Sequence, residues 1–300
     1  MHAESIAWLN GRFLPLKDAS LSVFDAGVTS GASVTERLRT FRHQPFLLDE
    51  HLDRLCAAAN AAFVPLREPT EGMRSIIHHV VEGNAANLPT EHDLAISVFA
   101  TDGVAGEPSL CVHAAPISAP QYANSYELGI ALTTPNLLAM PGDVLSPQIK
   151  TRSRLHWHIA DRQADRIETG SKALLVDREN YITETSTGNV FIVRGRQLMT
   201  PRRTRTLHGI SQAYMMRLAA DLTLSVAEAD LRVDDVLSSD EAFVTSSIYC
   251  VLPVVRLNQG RIADGKPGGV FREVLAAWSE RVGVDIAGQM WRMAEISEAT

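Results

Sequence analysis

Cysteine is scarce in this sequence, and its three cysteines lie far apart. Cys56, Cys111 and Cys250 form no CxxC pair, and none of them neighbours histidines at metal-ligand spacing. A sparse, odd set argues against a disulfide framework and favours a reducing cytosol. We therefore expect a cytoplasmic protein that has no metal site.

Long apolar runs and long basic runs are also missing. No apolar run approaches the ~20 residues that a membrane-spanning helix needs, and the N-terminus lacks the plan of a signal peptide. The 28 basic and 35 acidic residues give a net charge of -7, which disfavours nucleic acid and anionic membranes as partners. The short basic cluster at 202–205 is typical of a solvated loop.

The overall composition is that of a globular protein with hydrophobic cores. Hydrophobic residues make up 45% and charged residues 21% of the 300 positions, which suits two domains. Residues 116–126 contain two prolines and no helical period, as is typical of an interdomain linker. We predict an α+β protein with a smaller N-terminal α+β domain (1–118), a linker (119–126) and a larger domain of mixed strands and helices (127–300).

Three local predictions matter below. The pattern of apolar residues predicts a helix from Asp49 to about Ala62, with Asp49 as its cap. The segment from Phe46 to Leu48 resembles a strand. A long amphipathic helix is predicted from about Thr151 to Glu168.

One lysine occupies a suggestive position. Nucleotide-binding loops, zinc-hydrolase helices and the serine-hydrolase turn are absent from the sequence. Lys150 follows a turn-rich stretch and directly precedes the predicted amphipathic helix. A lysine where a loop meets an apolar strand can be desolvated, which lowers its pKa, and only the neutral amine attacks a carbonyl. The alternative is an ordinary surface lysine.

Three later segments hold polar groups that are candidates for chemistry. Glu184 stands among small hydroxyl residues in 181–191, and the alternative there is a polar loop. Gly209 opens a helix whose first amides can bind phosphate, and the alternative there is a simple N-cap. Consecutive hydroxyls follow in 242–247, where they either bind an anion or end a strand.

Taken in this order, the four segments resemble the class IV aminotransferases, the fold type IV pyridoxal-phosphate enzymes. That family includes branched-chain aminotransferases, D-amino-acid transaminases and aminodeoxychorismate lyase. The resemblance runs from the Asn10-Gly11 hairpin turn to 264–268, which is similar to the family's late "gdGkpG" stretch. It implies a two-domain fold, pyridoxal 5'-phosphate as cofactor and a homodimer.

The resemblance also implies roles for individual residues. Lys150 resembles the Schiff-base lysine, which also shuttles the substrate proton. Glu184 resembles the acid that keeps the pyridine nitrogen protonated, and Arg54 resembles the phosphate-binding arginine, whose planar fork suits phosphate. The remaining cofactor-binding positions that it implies are Asn189, Gly209, Ile210, Ser211, Ser246 and Ser247.

The substrate side departs from the family patterns. Residues 31–39 resemble the "GxSVFEGxR" strand of branched-chain enzymes, but Thr35 replaces the aromatic residue. Glu36 resembles an acid shared by branched-chain and D-amino-acid enzymes, which favours transamination. Neither the branched-chain carboxylate arginine, expected within 93–101, nor the D-amino-acid enzymes' Arg-x-His pair, expected in 103–108, is present.

Arginines elsewhere are candidates for the substrate carboxylate. Arg39, Arg152 and Arg154 are such candidates, although all three also suit surface ion pairs. We predict an aminotransferase that moves an amino group between an amino acid or amine and a 2-oxo acid through Lys150. One alternative is a lyase that releases pyruvate from aminodeoxychorismate, which the resemblance of Arg154 to the lyase favours. The other is a pyridoxal-phosphate-binding protein without turnover.

Overall fold

The computed structural model describes residues 5–86, 88–89 and 91–298. The chain divides into two compact units: the first comprises Met1–Ile117 and Ile149–Ser153, and the second comprises Ser118–Gln148 and Arg154–Thr300. No helix within the described ranges is long and apolar enough to cross a membrane.

The first unit contains a six-stranded antiparallel sheet. Its strand order is β2-β1-β6-β5-β3-β4. The strands are β1 (Ile6–Leu9), β2 (Arg12–Pro15), β3 (Ser33–Phe41), β4 (Gln44–Pro45), β5 (Leu94–Val104) and β6 (Glu107–Pro116). The hairpin predicted at Asn10-Gly11 is confirmed, with Asn10 and Gly11 both at positive φ, as this class of turn requires.

Helices cover one face of this sheet. They are α2 (Leu48–Ala61) and α3 (Thr70–Ala85), whereas the short α1 (Ala26–Thr29) packs near Thr101 of β5 on the other face. Side chains alternate along β3, so that Val34 and Leu38 enter the core formed with α2 and α3, where Leu55 and Ile77 are fully buried. Thr35 and Arg37, which alternate with these residues in β3, lie on the opposite face, which the two helices leave open.

The second unit is built on a nine-stranded sheet. Its order is β12-β11-β10-β13-β14-β7-β8-β9, with β15 paired to β14. Because β9 also pairs with β10, six of these strands close into a ring. The strands are β7 (Ile130–Thr133), β8 (Lys172–Val176), β9 (Ile182–Thr185), β10 (Asn189–Arg194), β11 (Gln197–Pro201), β12 (Ser225–Ala229), β13 (Glu241–Ser246), β14 (Cys250–Leu257) and β15 (Gly260–Arg261).

Helices surround the strands of the second unit. They are α4 (Ser125–Leu128), α5 (Leu155–Ile167), α6 (Ile210–Asp221), α7 (Val233–Leu237), α8 (Gly269–Val282) and α9 (Ile286–Glu298). Ala160 and Ala164 of α5 pack on Ala173 and Leu175 of β8, and all four are fully buried.

The start of α2 corrects two predictions. The helix begins at Leu48, and Leu47 before it adopts a left-handed backbone (φ 54) and makes no side-chain cap. Asp49 is therefore not the cap. The predicted strand at Phe46–Leu48 is wrong, because this stretch turns directly from the two-residue β4 into the helix.

The region around Lys150 also differs from expectation. The helix predicted from Thr151 begins only at Leu155, because residues 149–153 run beside β3 in the first unit. The predicted linker at 119–126 is folded into the second unit, where Ala119 and Ala123 are buried and the Tyr126 hydroxyl donates to the Tyr249 carbonyl at 2.7 Å.

Candidate active site

Lys150 lies in a segment that pairs with the start of β3. The Thr35 amide donates to the Lys150 carbonyl at 2.8 Å, and the Arg152 amide donates to Ser33 Oγ at 3.2 Å. Ile149 packs against the core under α2 and α3. The backbone of Lys150 is therefore anchored on both sides by contacts within the first unit.

A buried charge network lies on the helix-covered side of β3. The carboxylate of Glu36 accepts from Arg54 Nε at 2.6 Å and from Arg54 Nη2 at 2.7 Å, which is the two-pronged geometry that guanidinium and carboxylate favour. His51 Nδ1 lies 2.7 Å from the same carboxylate. An ionised carboxylate can only accept hydrogen bonds, so His51 Nδ1 carries the proton and donates.

The pKa values of this network reflect its charges. Burial raises the pKa of Glu36, but the charge and hydrogen bonds of Arg54, followed by His51, outweigh it and lower the pKa to about 2. Burial lowers the pKa of His51, Glu36 opposes this effect, and Arg54 and Lys150 add to it. The influence of Lys150 on His51 places the lysine's charge within electrostatic range of the network.

Glu36 consequently has a different surrounding from the one predicted. Its side chain is 2% exposed and faces Arg54 and His51, so it is not a substrate contact, and it orients Arg54 instead. The Arg54 side chain is 12% exposed and stays the predicted phosphate ligand.

Two other predicted substrate contacts also have partners inside the first unit. The Arg39 guanidinium is fully buried, pairs with Asp93 at 3.5 Å and stacks 4.0 Å from the Phe41 ring centroid. Arg39 is therefore a structural residue, contrary to its prediction as a carboxylate contact. Thr35 is buried, and its hydroxyl donates to the Val98 carbonyl at 2.9 Å, which fixes its side chain on the open face of the sheet.

Glu184 is held at the point in the second unit where β9 meets β10. Both of its carboxylate oxygens accept from the Leu207 amide at 3.2 Å, and Asn189 Nδ2 lies 3.4 Å from Oε2. Asn189 is opposite Glu184 in the strand register and also donates to the Leu207 carbonyl at 3.0 Å. These contacts hold the carboxylate in one orientation and bring Asn189 and residue 207 together beside it.

The start of α6 lies next to this carboxylate. Gly209 is the cap, and Ile210 and Ser211 form the buried first turn. A Cβ at Gly209 would overlap the Asn189 side-chain oxygen, so only glycine fits. The first amides of a helix have no acceptor within it and carry the positive end of its dipole, which favours an anion.

Several hydroxyls near this point are buried and unsatisfied. Ser186 Oγ, Thr206 Oγ1 and Thr245 Oγ1 make no hydrogen bond within the described part of the chain. Thr245 is opposite Asn189 in the register of β13 and β10. The predicted Ser246 ends β13, and Ser247 follows in the turn. A buried hydroxyl without a partner is costly, so Ser186, Thr206 and Thr245 suit a polar ligand.

Sequence reasoning missed Gln148, two residues before Lys150. Its Nε2 donates to the carbonyls of Arg203 at 3.1 Å and Thr206 at 2.7 Å, and its Oε1 accepts from the His208 amide at 3.0 Å. Gln148 thus fixes the loop that leads into α6. In the sequence, the only feature that could have drawn attention to Gln148 was its position two residues before Lys150.

Arg154 lies beside the Glu184 segment. Its guanidinium donates to the Ser186 carbonyl. Burial lowers the pKa of Arg154, and the carboxylates of Glu184 and Asp161 oppose this effect. Arg154 thus has a local role in holding the turn between β9 and β10, and it remains a candidate for a substrate contact.

Comparison with known proteins identifies the family. The model of the class IV amino-transferase family matches residues 33–257, which is most of the chain. The chain therefore belongs to the class IV aminotransferase family.

Individual relatives agree with this membership. The chain is 29% identical over 293 residues to the "Putative branched-chain-amino-acid aminotransferase" of Methanocaldococcus jannaschii, covering 92% of this chain and 98% of that one. It is 24% identical over 278 residues to the D-alanine aminotransferase of Bacillus licheniformis, covering 89% and 94%. The crystal structure of the branched-chain amino acid aminotransferase of Escherichia coli shares the fold, with a TM-score of 0.84 and 23% identity over 92% and 93% of the two chains.

Class IV aminotransferases use pyridoxal phosphate, and the described residues fit that cofactor. In the second unit, the fixed carboxylate of Glu184 suits a protonated ring nitrogen, while the Gly209 cap and the unsatisfied hydroxyls suit a phosphate. In the first unit, Lys150 offers the amine and Arg54 a guanidinium. The fold is the mixed α+β fold type IV that was predicted.

Proposed function

We propose that this aminotransferase moves an amino group between an amino acid and a 2-oxo acid, with Lys150 as the lysine that binds the cofactor. The anchoring of Lys150 to Thr35 of β3, beside the network of Glu36, His51 and Arg54, is the observation that carries the proposal. A reacting amine must be held in place, because a misplaced group loses much of its rate advantage.

Each proposed role follows from the chemistry of the side chain. When bound, pyridoxal phosphate supplies an electron-accepting ring. The Lys150 amine would hold the aldehyde end of the cofactor and, as a free amine, would take the proton from the substrate Cα and return it. Glu184 holds a proton at the ring nitrogen. Arg54 and the first amides of α6 bind the phosphate.

A second candidate is the lyase reaction that releases pyruvate from aminodeoxychorismate. The observation that favours it is the position of Arg154, whose guanidinium lies next to the Glu184 segment. Transamination is preferred because the relatives that the chain matches over most of its length are named aminotransferases.

The visible spectrum of the purified protein tests these alternatives. Amino acids of both hands, amines and aminodeoxychorismate are added singly, without an acceptor. Conversion of the aldehyde-cofactor band to the amine-cofactor band identifies a transaminase and its donor. Pyruvate release with the aldehyde band retained identifies the lyase, and a band that no donor changes identifies a binding protein without turnover.

Assembly and location complete the proposal. A homodimer is proposed because members of this family assemble in that way, and a monomeric mass in light scattering at micromolar concentration would contradict it. A cytoplasmic location is proposed because the three cysteines, Cys56, Cys111 and Cys250, are all free thiols, which suits a reducing compartment.

A further inference from the structure

The face of the first sheet that α2 and α3 leave open carries an aligned row of basic and polar side chains. In the strand register, Arg37 of β3 lies opposite Ser97 of β5, and Ser97 lies opposite His113 of β6. Cross-strand neighbours project on the same side of a sheet. Arg37, Ser97 and His113 therefore form one row on this face.

The next row adds an aromatic surface. Thr35 lies opposite Phe99, and Phe99 lies opposite Cys111. Phe99 is half-buried, whereas Thr35 and Cys111 are buried. The two rows together give a half-buried ring flanked by hydrogen-bonding groups.

Arg152 brings a second guanidinium to the same place. Its guanidinium carbon lies 5.9 Å from the Phe99 ring centroid. Its charge, together with burial, affects Cys111 and His113: burial raises the pKa of the Cys111 thiol to about 11, and Arg152 opposes this rise. Burial lowers the pKa of His113, and the charges of Arg152 and Arg37 lower it further. Both guanidiniums therefore lie within electrostatic range of His113.

The positive charge of Arg37 is not balanced by an acidic residue of these two rows. Arg37 is exposed and makes no ion pair among the described residues. His113 Nδ1 is buried and has no hydrogen-bond partner in the described ranges. The carboxylate of Asp25 bonds in the next row, that of Thr101 and Ser109. It accepts from the Ser109 hydroxyl at 2.9 Å and from the Gly27 amide at 2.8 Å.

We propose that Arg37, His113 and Arg152 form a carboxylate-recognition site for the substrate of this enzyme, with Phe99 as its apolar floor. Guanidiniums bind carboxylates through paired hydrogen bonds, and the neutral imidazole adds a third polar group. The substrates are accordingly amino acids and 2-oxo acids, in preference to amines that lack an acid group. The inference rests on the proposed function.

The site adjoins the anchored lysine segment. The Lys150 carbonyl is bonded to Thr35, two residues before Arg37 along β3, and Arg152 follows Lys150 by two residues. The two segments in which the family patterns expect carboxylate-binding residues, 93–101 and 103–108, contain no arginine and no histidine. The new site provides the same chemistry from a different strand row.

Steady-state kinetics of the holoenzyme Arg37→Gln variant test this inference. We expect KM to rise about tenfold or more for carboxylate substrates, since a charge-assisted hydrogen bond is lost, with kcat little changed and KM for 1-phenylethylamine unaltered. Arg37→Lys should recover part of the affinity. Arg12→Gln, at an exposed arginine on β2, is the matched control and should behave as wild type.

A comparison of glutamate with norvaline as donors identifies which substrate carboxylate, that of Cα or that of the side chain, binds at the site. A KM rise for both donors means that the α-carboxylate binds at the site, and a rise for glutamate alone means that the side-chain carboxylate does. An unchanged KM for both acids, or an equal rise for acids and 1-phenylethylamine, overturns the inference.

Calorimetric titration with glutarate separates this inference from the proposed function. If the wild type transaminates no donor, the proposed function fails. The site is still supported if glutarate binds the wild type and Arg12→Gln equally well and binds Arg37→Gln about tenfold more weakly. Transamination with normal KM in Arg37→Gln, together with unchanged glutarate affinity, overturns the site while the proposed function stands.

Discussion

The Thr35 amide donates a hydrogen bond of 2.8 Å to the Lys150 carbonyl. This bond joins residues that are 115 positions apart in the sequence and attaches the lysine segment to the strand that also bears Glu36 and Arg37. Because β3 is paired with β5 from Ser33 to Arg39, its rigidity is thereby passed to the segment that holds the reactive amine.

Replacement of Lys150 is expected to remove the defining chemistry. Lys150→Ala should abolish turnover and the visible band of covalently bound cofactor, because Lys150 is the proposed source of the amine. The absorption spectrum and a coupled transaminase assay measure this. Lys172→Ala, at an exposed lysine that begins β8, should leave both unchanged. Full activity in Lys150→Ala would mean that another lysine binds the cofactor.

The carboxylate of Glu184 is expected to affect the rate more than binding. Glu184→Gln keeps the size of the side chain and can still accept from the Leu207 amide, but it loses the charge that holds a proton on the ring nitrogen. We expect cofactor affinity to change by about twofold and kcat to fall about a hundredfold or more, the scale of lost proton-transfer catalysis. Equilibrium dialysis and single-turnover kinetics measure the two effects. Glu127→Gln, at an exposed residue of α4, is the control, and an unaltered kcat in Glu184→Gln would rule out this role.

Loss of the Glu36 charge should destabilise the first unit. Glu36→Gln leaves the mostly buried guanidinium of Arg54 without the Glu36 counter-charge, which we expect to cost about 3 kcal/mol in free energy of unfolding. Urea denaturation followed by circular dichroism measures it. Asp49→Asn, which breaks the solvent-exposed ion pair with Arg74, should barely move the midpoint. Equal stability of Glu36→Gln and wild type would show that the network contributes nothing net.

The same residue should make stability depend on pH. The pKa of Glu36 is lowered from 4.5 to about 2 because the charge and hydrogen bonds of Arg54 and His51 outweigh burial. A carboxyl whose folded pKa is depressed stabilises the fold above its unfolded pKa and loses that contribution as pH falls toward its folded pKa. Wild type should therefore lose more stability than Glu36→Gln between about pH 4.5 and 2, and parallel pH profiles would contradict the assignment.

A methyl group at Gly209 should damage the proposed phosphate site. In Gly209→Ala the new Cβ would overlap the Asn189 side chain, which is bonded to residue 207. We expect a loss of about 1 to 3 kcal/mol in stability, as is usual for overpacking, and weaker cofactor binding. Gly269→Ala is the matched control, because its Cβ meets nothing within 4 Å and its position begins α8. Thermal melts with and without cofactor measure both effects, and the prediction fails if the two variants behave alike.

Much of the fold followed from local patterns. The hairpin at Asn10-Gly11 and the apolar period of α2 are properties of short segments, and each predicted its element to within a few residues. The four segments around Lys150, Glu184, Gly209 and 242–247 were found because each holds its distinctive residues within a few positions. Their order predicted the family.

The tertiary structure decided how distant residues are paired. Glu36 orients Arg54 and His51, and Arg39 forms an ion pair with Asp93. The lysine segment joins the first unit instead of starting a helix. Arg37 and His113 share a row only because β5 aligns between β3 and β6. Strand register and the burial of charges depend on contacts between segments far apart in the chain, so they become definite only when the sheet has formed.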